Sequence, residues 1–264
     1  MGQLREGKTM KVVIDGVDLS MNGFYLITND DAFQFNFGLK QSTVKTNTNS
    51  FRPPQVKGVK RECPTFTFTL TKLSYGTEMP LSITNDELSW LGRLLYKLNE
   101  EISIECNGKL CEGYVLDSND SWLNTYNQGY INVTFEMSSP YFYSSIISNE
   151  RVVLDDYTLN VYNKSNVNED VYPNFVINNI NATEITIRNI NGKSMTISGL
   201  KPNTVYKVYN EKRSIFNDSD FRDNVYTGFT GDWISLRYGK NTFKLSSNGR
   251  LEFKILHRNK YVMS

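Results

Sequence analysis

Seven consecutive residues, Thr65-Phe66-Thr67-Phe68-Thr69-Leu70-Thr71, alternate polar and apolar without a break. Successive side chains of an extended chain point to opposite faces, so a period of two fits a strand with one dry face. Only one segment carries a helical period. Thr84, with Glu87 three residues on, makes a capping-box start. Leu88, Leu91, Leu94, Leu95 and Leu98 then share one face of a helix expected over about residues 85–99. The remaining patterned segments read as short strands, so the expected fold class is mainly β with one helix in the first half.

The turns support this. Asp15-Gly16 and Asn107-Gly108 supply the positive φ angles of tight hairpins. They join 11–14 to 17–19 and 102–106 to 110–116. Further strands are expected at 23–28, 33–37 and 130–136. Ser138-Ser139-Pro140 then breaks the pattern, because proline cannot continue a ladder. A boundary there gives two domains, 1–140 and 141–264. The second is all strand: 152–162, 174–178, 184–189, 194–198, 205–209, 233–236, 242–245 and 250–256. Short strands separated by Gly, Pro, Asn and Asp turns point to a β-sandwich.

Composition agrees with this reading. Of 264 residues 39% are hydrophobic, enough for a core, and the 16 Tyr and 15 Phe favour strands. Formal net charge is +1, which gives no strong pull toward nucleic acid or a membrane surface. Residues 1–140 carry 13 basic and 16 acidic groups, residues 141–264 carry 16 and 12, so the halves differ in sign. Cys63, Cys106 and Cys111 are an odd set with no C-x-x-C, which argues for free thiols and against zinc. Across the Asn107-Gly108 turn, Cys106 is expected opposite Lys109 and Cys111 opposite Ile104, a diagonal arrangement poor for a disulfide. No stretch approaches the ~18 apolar residues of a membrane span, and the opening residues lack the apolar centre of a signal peptide. Met10 precedes the first strand pattern, and codons for Arg5-Glu6-Gly7 can spell a ribosome-binding sequence. Translation is therefore expected to begin at Met10, which an intact mass containing residues 2–9 would refute.

Reactive groups are sparse. His257 is the only histidine, and no G-x-S-x-G occurs, so an enzyme is not expected and no catalytic residue is assigned. Asp218-Ser219-Asp220-Phe221-Arg222-Asp223 resembles part of a calcium loop but lacks its central Gly and distal Glu, and reads as a solvated turn. No metal and no cofactor is expected. Residues 38–61 carry Lys40, Lys45, Arg52, Lys57, Lys60 and Arg61 with no acidic residue, a long basic loop suited to a subunit interface or to a lumen. Tyr226, Trp233 and Tyr238 are a candidate aromatic platform for a glycan.

The order of these pieces is distinctive. Ile14-Asp15-Gly16-Val17-Asp18-Leu19-Ser20 before Gly23-Phe24, the Phe-alternating strand, and Ser138-Ser139-Pro140-Tyr141-Phe142-Tyr143-Ser144 resemble the siphovirus-type phage distal tail protein (Dit) family. So do Asn163-Lys164-Ser165 through Pro173, with Ser165 where the family has glycine, then Asn189-Ile190-Asn191-Gly192-Lys193, and Tyr238-Gly239-Lys240-Asn241-Thr242-Phe243. The resemblance covers about residues 10–261. It implies a first domain that forms a ring with its own copies, typically a hexamer, and a galectin-like second domain projecting outward. The implied partners are the tail tube protein, the tape-measure protein, the tail-tip hub protein and, in some members, a receptor-binding protein. DNA would pass through the lumen without specific recognition. The implied location is the tail tip of a virion, with the chain made in the bacterial cytoplasm. The fold name does not imply sugar binding, since His257-Arg258-Asn259 does not match the galectin His-x-Asn-x-Arg pattern. A carbohydrate-binding adhesion module acting through residues 141–264 is the alternative.

Overall fold

The computed structural model describes residues 8–28, 41–45, 56–76, 79–117, 122–190, 192–220 and 222–262. The chain divides into two compact units, Met1–Tyr143 with Val262–Ser264, and Ser144–Tyr261.

The first unit contains β1 (Lys8–Met10), β2 (Val12–Ile14), β3 (Val17–Asp18), β4 (Phe24–Thr28), β5 (Gln41–Lys45), β6 (Val56–Arg61) and β7 (Thr65–Lys72). There follow α1 (Asn85–Leu95), β8 (Ile102–Cys106), β9 (Lys109–Asp117), β10 (Trp122–Leu123), β11 (Gly129–Met137) and β12 (Phe142–Tyr143). The main sheet runs β1-β4-β7-β11-β9-β8-β2-β3. Lys11 alone separates β1 from β2, although they lie at opposite ends of the path from β1 to β2. Two residues of chain span only about 7 Å, so the sheet curls until β1 and β2 come close, an open barrel with β1 and β3 at the ends of its path.

Alternation places Val12, Ile14, Phe24, Leu26, Phe68, Leu70, Val133 and Phe135 in the interior. Outside, the threonines of β7 meet β11 in pairs: Thr67 with Thr134 at 3.1 Å, and Thr69 with Asn132 at 2.7 Å. The register of β11 on β9 shifts between Thr134 and Phe135. Gly113 sits beside this irregularity, where a Cβ would run into the Glu136 carbonyl oxygen.

The helix starts as expected: Thr84 Oγ accepts from Glu87 N–H, and Glu87 accepts in return from Thr84 N–H. Lys72 on β7 also grips Glu87, at 2.6 Å. Burial acts to raise the Glu87 carboxyl, but the Lys72 and Thr84 bonds outweigh it and hold the group below its usual value. The helix ends at Leu95 rather than near residue 99. Tyr96 leaves helical geometry, Asn99 adopts φ 60°, and Lys97 bonds Asp15 on the β2–β3 turn at 2.6 Å. Leu98 is therefore not on the buried face but 88% exposed.

Asp15-Gly16 and Asn107-Gly108 form the expected turns with positive φ throughout. Cys106 pairs with Lys109 and Cys111 with Ile104, and all three cysteines are free. Burial pushes the Cys111 thiol up to about 12. Lys8–Met10 pairs with β4. One expectation changes in this unit. Residues 41–45 and 56–61 are a separate two-stranded hairpin rather than loop, with valines punctuating the basic run. The strand expected at 33–37 lies outside the described residues.

The second unit holds β13 (Ile147–Val153), β14 (Asp156–Asn163), β15 (Asn174–Asn179), β16 (Glu184–Asn189) and β17 (Ser194–Ser198). β18 (Thr204–Tyr209), β19 (Ser214–Asn217), β20 (Phe229–Gly231), β21 (Gly239–Ser247) and β22 (Leu251–His257) complete it. They form two antiparallel sheets, β13-β22-β15-β18-β19 and β14-β21-β16-β17-β20. Both sheets contribute inward residues to one core, with Phe175 against Phe253 at 5.2 Å and edge-on to Phe243 at 6.3 Å. This is a β-sandwich. The expected single strand 152–162 is two strands, because the chain turns a corner at Leu154-Asp155 and crosses from one sheet to the other. β19 and β20 have no counterpart in the sequence reading.

Candidate functional site

The segment expected as a strand at 233–236 makes no ladder. Its backbone groups are taken up by side chains instead. Asn210 Oδ1 accepts from Ile234 N–H at 2.8 Å, and Asn189 Nδ2 donates to the Ser235 carbonyl at 3.1 Å. Asn163 Nδ2 donates to the Leu236 carbonyl at 3.1 Å, while Asn241 both accepts from Arg237 N–H and donates to its carbonyl. Val171 and Leu236 exchange a pair of backbone bonds at 3.0 and 2.7 Å. All four asparagines are buried. An amide side chain carries one acceptor and two donors, so it stands in for a missing strand. Such bonds contribute about 0.5–1.5 kcal/mol each, but stranding a buried partner costs about 1–3 kcal/mol.

This bracketed segment runs on from Trp233, at an end of the sandwich where four loops converge. Tyr172 comes from the run into β15, and Lys193 from the β16–β17 turn. Asn210, Glu211 and Arg213 come from the β18–β19 turn, and Gly231, Asp232 and Trp233 from the exit of β20. Together they enclose a hollow of about 370 Å³. Lys193 Nζ donates to Ser235 Oγ at 2.9 Å and lies 5.9 Å from the Tyr172 ring centre. Ser235 Oγ donates its only proton to Asp170 at 2.6 Å. That chain is a brace, not a nucleophile with a base: the lysine gives a proton to the hydroxyl and takes none. Trp233 stacks on Phe229 with ring centres 4.7 Å apart. Of the three aromatics singled out in the sequence, Trp233 alone lines the hollow. The Tyr226 hydroxyl bonds Ile215 N–H and the Arg213 carbonyl, and Tyr238 is largely exposed.

The other candidates are placed as follows. His257 is buried, with Nε2 donating to the Tyr162 carbonyl at 3.3 Å and Nδ1 without a partner among the described residues. Burial lowers its pKa. Around 218–223 the carboxylates face lysines: Asp218 meets Lys207 at 2.9 Å, and Asp223 meets Lys201 at 3.0 Å. Asn217, then Lys201, hold the Asp223 carboxyl below its usual value. Among the described residues no group of acidic, Cys or His side chains is placed to hold a metal. Of the basic run, Arg61 bonds the Tyr141 hydroxyl and lies over its ring, 5.7 Å from the centre. Lys45, Lys57 and Lys60 lie on the hairpin strands; their side chains, with Lys40 and Arg52, fall outside the described residues. On the first unit an apolar hollow of about 450 Å³ opens along α1 between Leu88, Leu91, Leu95, Tyr96, Leu123 and Ile131.

No family model matches the sequence, and no curated protein matches it either. Solved structures do. The Dit protein (gp 19.1) of phage SPP1, described as a paradigm of the hub adsorption apparatus in phages that infect Gram-positive bacteria, superposes with a TM-score of 0.62. The match covers 95% of this chain and 99% of that one at 14% identity. The fold is that of Dit. A structure of the phage P2 baseplate in its activated conformation is also similar, with a TM-score of 0.49, 12% identity, and 94% and 97% of the two chains covered.

The sequence signposts of the Dit resemblance have a common physical role in this fold. Asn163, Pro173, Asn189 and Asn241 belong to three separate phrases of sequence, yet all serve the bracket beside the hollow. Glu211, Arg213 and Asp232, three of the four charged groups lining the hollow, were not legible as a group. They lie on turns up to 21 positions apart in sequence, with no motif linking them.

Proposed function

We propose that this chain is a structural subunit of a bacteriophage tail tip, a distal tail protein that forms a hexameric ring linking tail tube to tail-tip hub. The observation that carries the reading is the Dit fold, matched over nearly the full length of both chains. In this reading the barrel unit closes the ring with identical copies, and the sandwich unit faces outward, where it offers a seat for a receptor-binding protein. The β5–β6 hairpin, with Lys40, Lys45, Arg52, Lys57, Lys60 and Arg61, belongs to the subunit interface or lumen. The tape-measure protein and then DNA pass through that lumen, touched by charge and not by base sequence. The protein acts through shape and contact, with no bond made or broken. Surface apolar groups on the barrel unit support it: the hollow along α1 and the exposed Tyr96 and Leu98 are surfaces of the kind that neighbours cover.

The test is location. Antibody raised against the purified chain should decorate the tail tip of virions that encode it, in negative-stain images. Label on the capsid, or none on intact particles, would end the proposal.

A further inference from the structure

We propose that the hollow at the end of the sandwich is a binding site for a neutral sugar unit. Glu211, Arg213 and Asp232 are exposed, and their side chains make no ion pair or hydrogen bond among the described residues. Oppositely charged groups that share one concave surface without pairing leave donors and acceptors for a third party. Two basic groups, Lys193 and Arg213, line the same hollow as two acidic ones, Glu211 and Asp232. That balance disfavours an anion or a cation and suits a ligand dense in hydroxyls, which donate to the carboxylates and accept from the cations. Charge-assisted bonds of this kind are the stronger ones.

One aromatic group borders these charges. The Trp233 indole is propped by Phe229, packs against the sandwich core and lines part of the hollow, whose exposed surface is mostly polar. Its ring N–H has no acceptor among the described residues. Part of the lining is fixed before any ligand arrives, because Asn210 ties Pro173 to Ile234 and Lys193 is held by Ser235. Preorganisation of this kind lowers the cost of binding. A hollow of about 370 Å³ lies at the small end of ligand pockets, which run about 300–1,000 Å³, and so fits one or two sugar rings. The proposal narrows the candidate glycan platform to Trp233 and the charged loops, without Tyr226 or Tyr238. It is independent of ring assembly.

Saturation-transfer NMR on the full-length chain tests it, with the methyl glycosides of glucose, galactose, rhamnose and N-acetylglucosamine as probes. At least one should titrate to saturation with a Kd on the order of 1–10 mM, as expected for so few atoms. The double variant Glu211→Gln/Arg213→Gln should weaken that binding about tenfold with an unchanged melting temperature. If no probe saturates, or the double variant binds as the parent does, the inference is wrong. Tail-tip labelling would be unaffected by either outcome.

Discussion

The barrel and the sandwich are both antiparallel, yet they hold their polar groups in opposite places. In the barrel, polar cross-strand pairs lie on the outer face, where Thr67 meets Thr134 and Thr69 meets Asn132. In the sandwich the polar work is internal, with Asn163, Asn179, Asn189, Asn210 and Asn241 all buried and bonded to backbone. Strand pairing explains the difference. The long curled sheet of the first unit satisfies its backbone mostly strand against strand. A sandwich is open at both ends, so loops crossing the core there must find partners among side chains. The polar pairs between β7 and β11 are thus a fine adjustment, whereas the asparagines of the sandwich are structural.

Mutations can break or sharpen that contrast. The largest effect should come from removing core volume, where the two units ought to behave alike. Phe253→Ala, with the ring fully buried against Phe175, should cost about 3–5 kcal/mol in urea unfolding, and Phe135→Ala in the barrel about as much. The contrast begins with the polar groups. Asn189→Ala takes the amide donor from the Ser235 carbonyl and removes one of the bonds to Asn241, and should cost about 1–3 kcal/mol. Thr84→Ala removes the helix cap of the barrel unit and should cost about 1 kcal/mol. Thr67→Ala, on the outer face, should cost only about 0.2–1 kcal/mol. A Thr67 variant as damaging as the Asn189 variant would erase the distinction.

His257 adds a pH test within the sandwich. Burial lowers its folded pKa, so the native state keeps it neutral while the unfolded chain takes up a proton first. Its contribution is therefore fully present above the unfolded value near 6.5 and is lost as pH falls from there through the folded value. It is the only histidine, so the urea midpoint should drop between pH 7.5 and 5.5, and His257→Gln should flatten that slope. An unchanged slope in the variant would assign the effect elsewhere.

What the sequence made legible follows the same divide. The Thr-Phe alternation, the capping box and the Asn107-Gly108 register are local, and each formed as read. The helix end was misplaced because Leu98 fits the periodicity while the Lys97–Asp15 contact, 82 positions apart, turns the chain away. The corner at residues 154–155 was invisible because the chain changes sheets without a Gly or Pro. Segment 233–236 has strand-like residues, and only the distant Asn163 and Asn189 reveal that its partners are side chains. Abundant asparagine was visible from the start. Its role required three-dimensional convergence, and so did the hollow that the asparagines support.

The central claim is that the barrel unit exists to close a circle with identical copies, and the mass of the purified full-length chain in solution tests it most directly. Sedimentation equilibrium across a wide concentration range should resolve a species of six chain masses that grows with concentration. A single-chain mass at every concentration up to the solubility limit would contradict it.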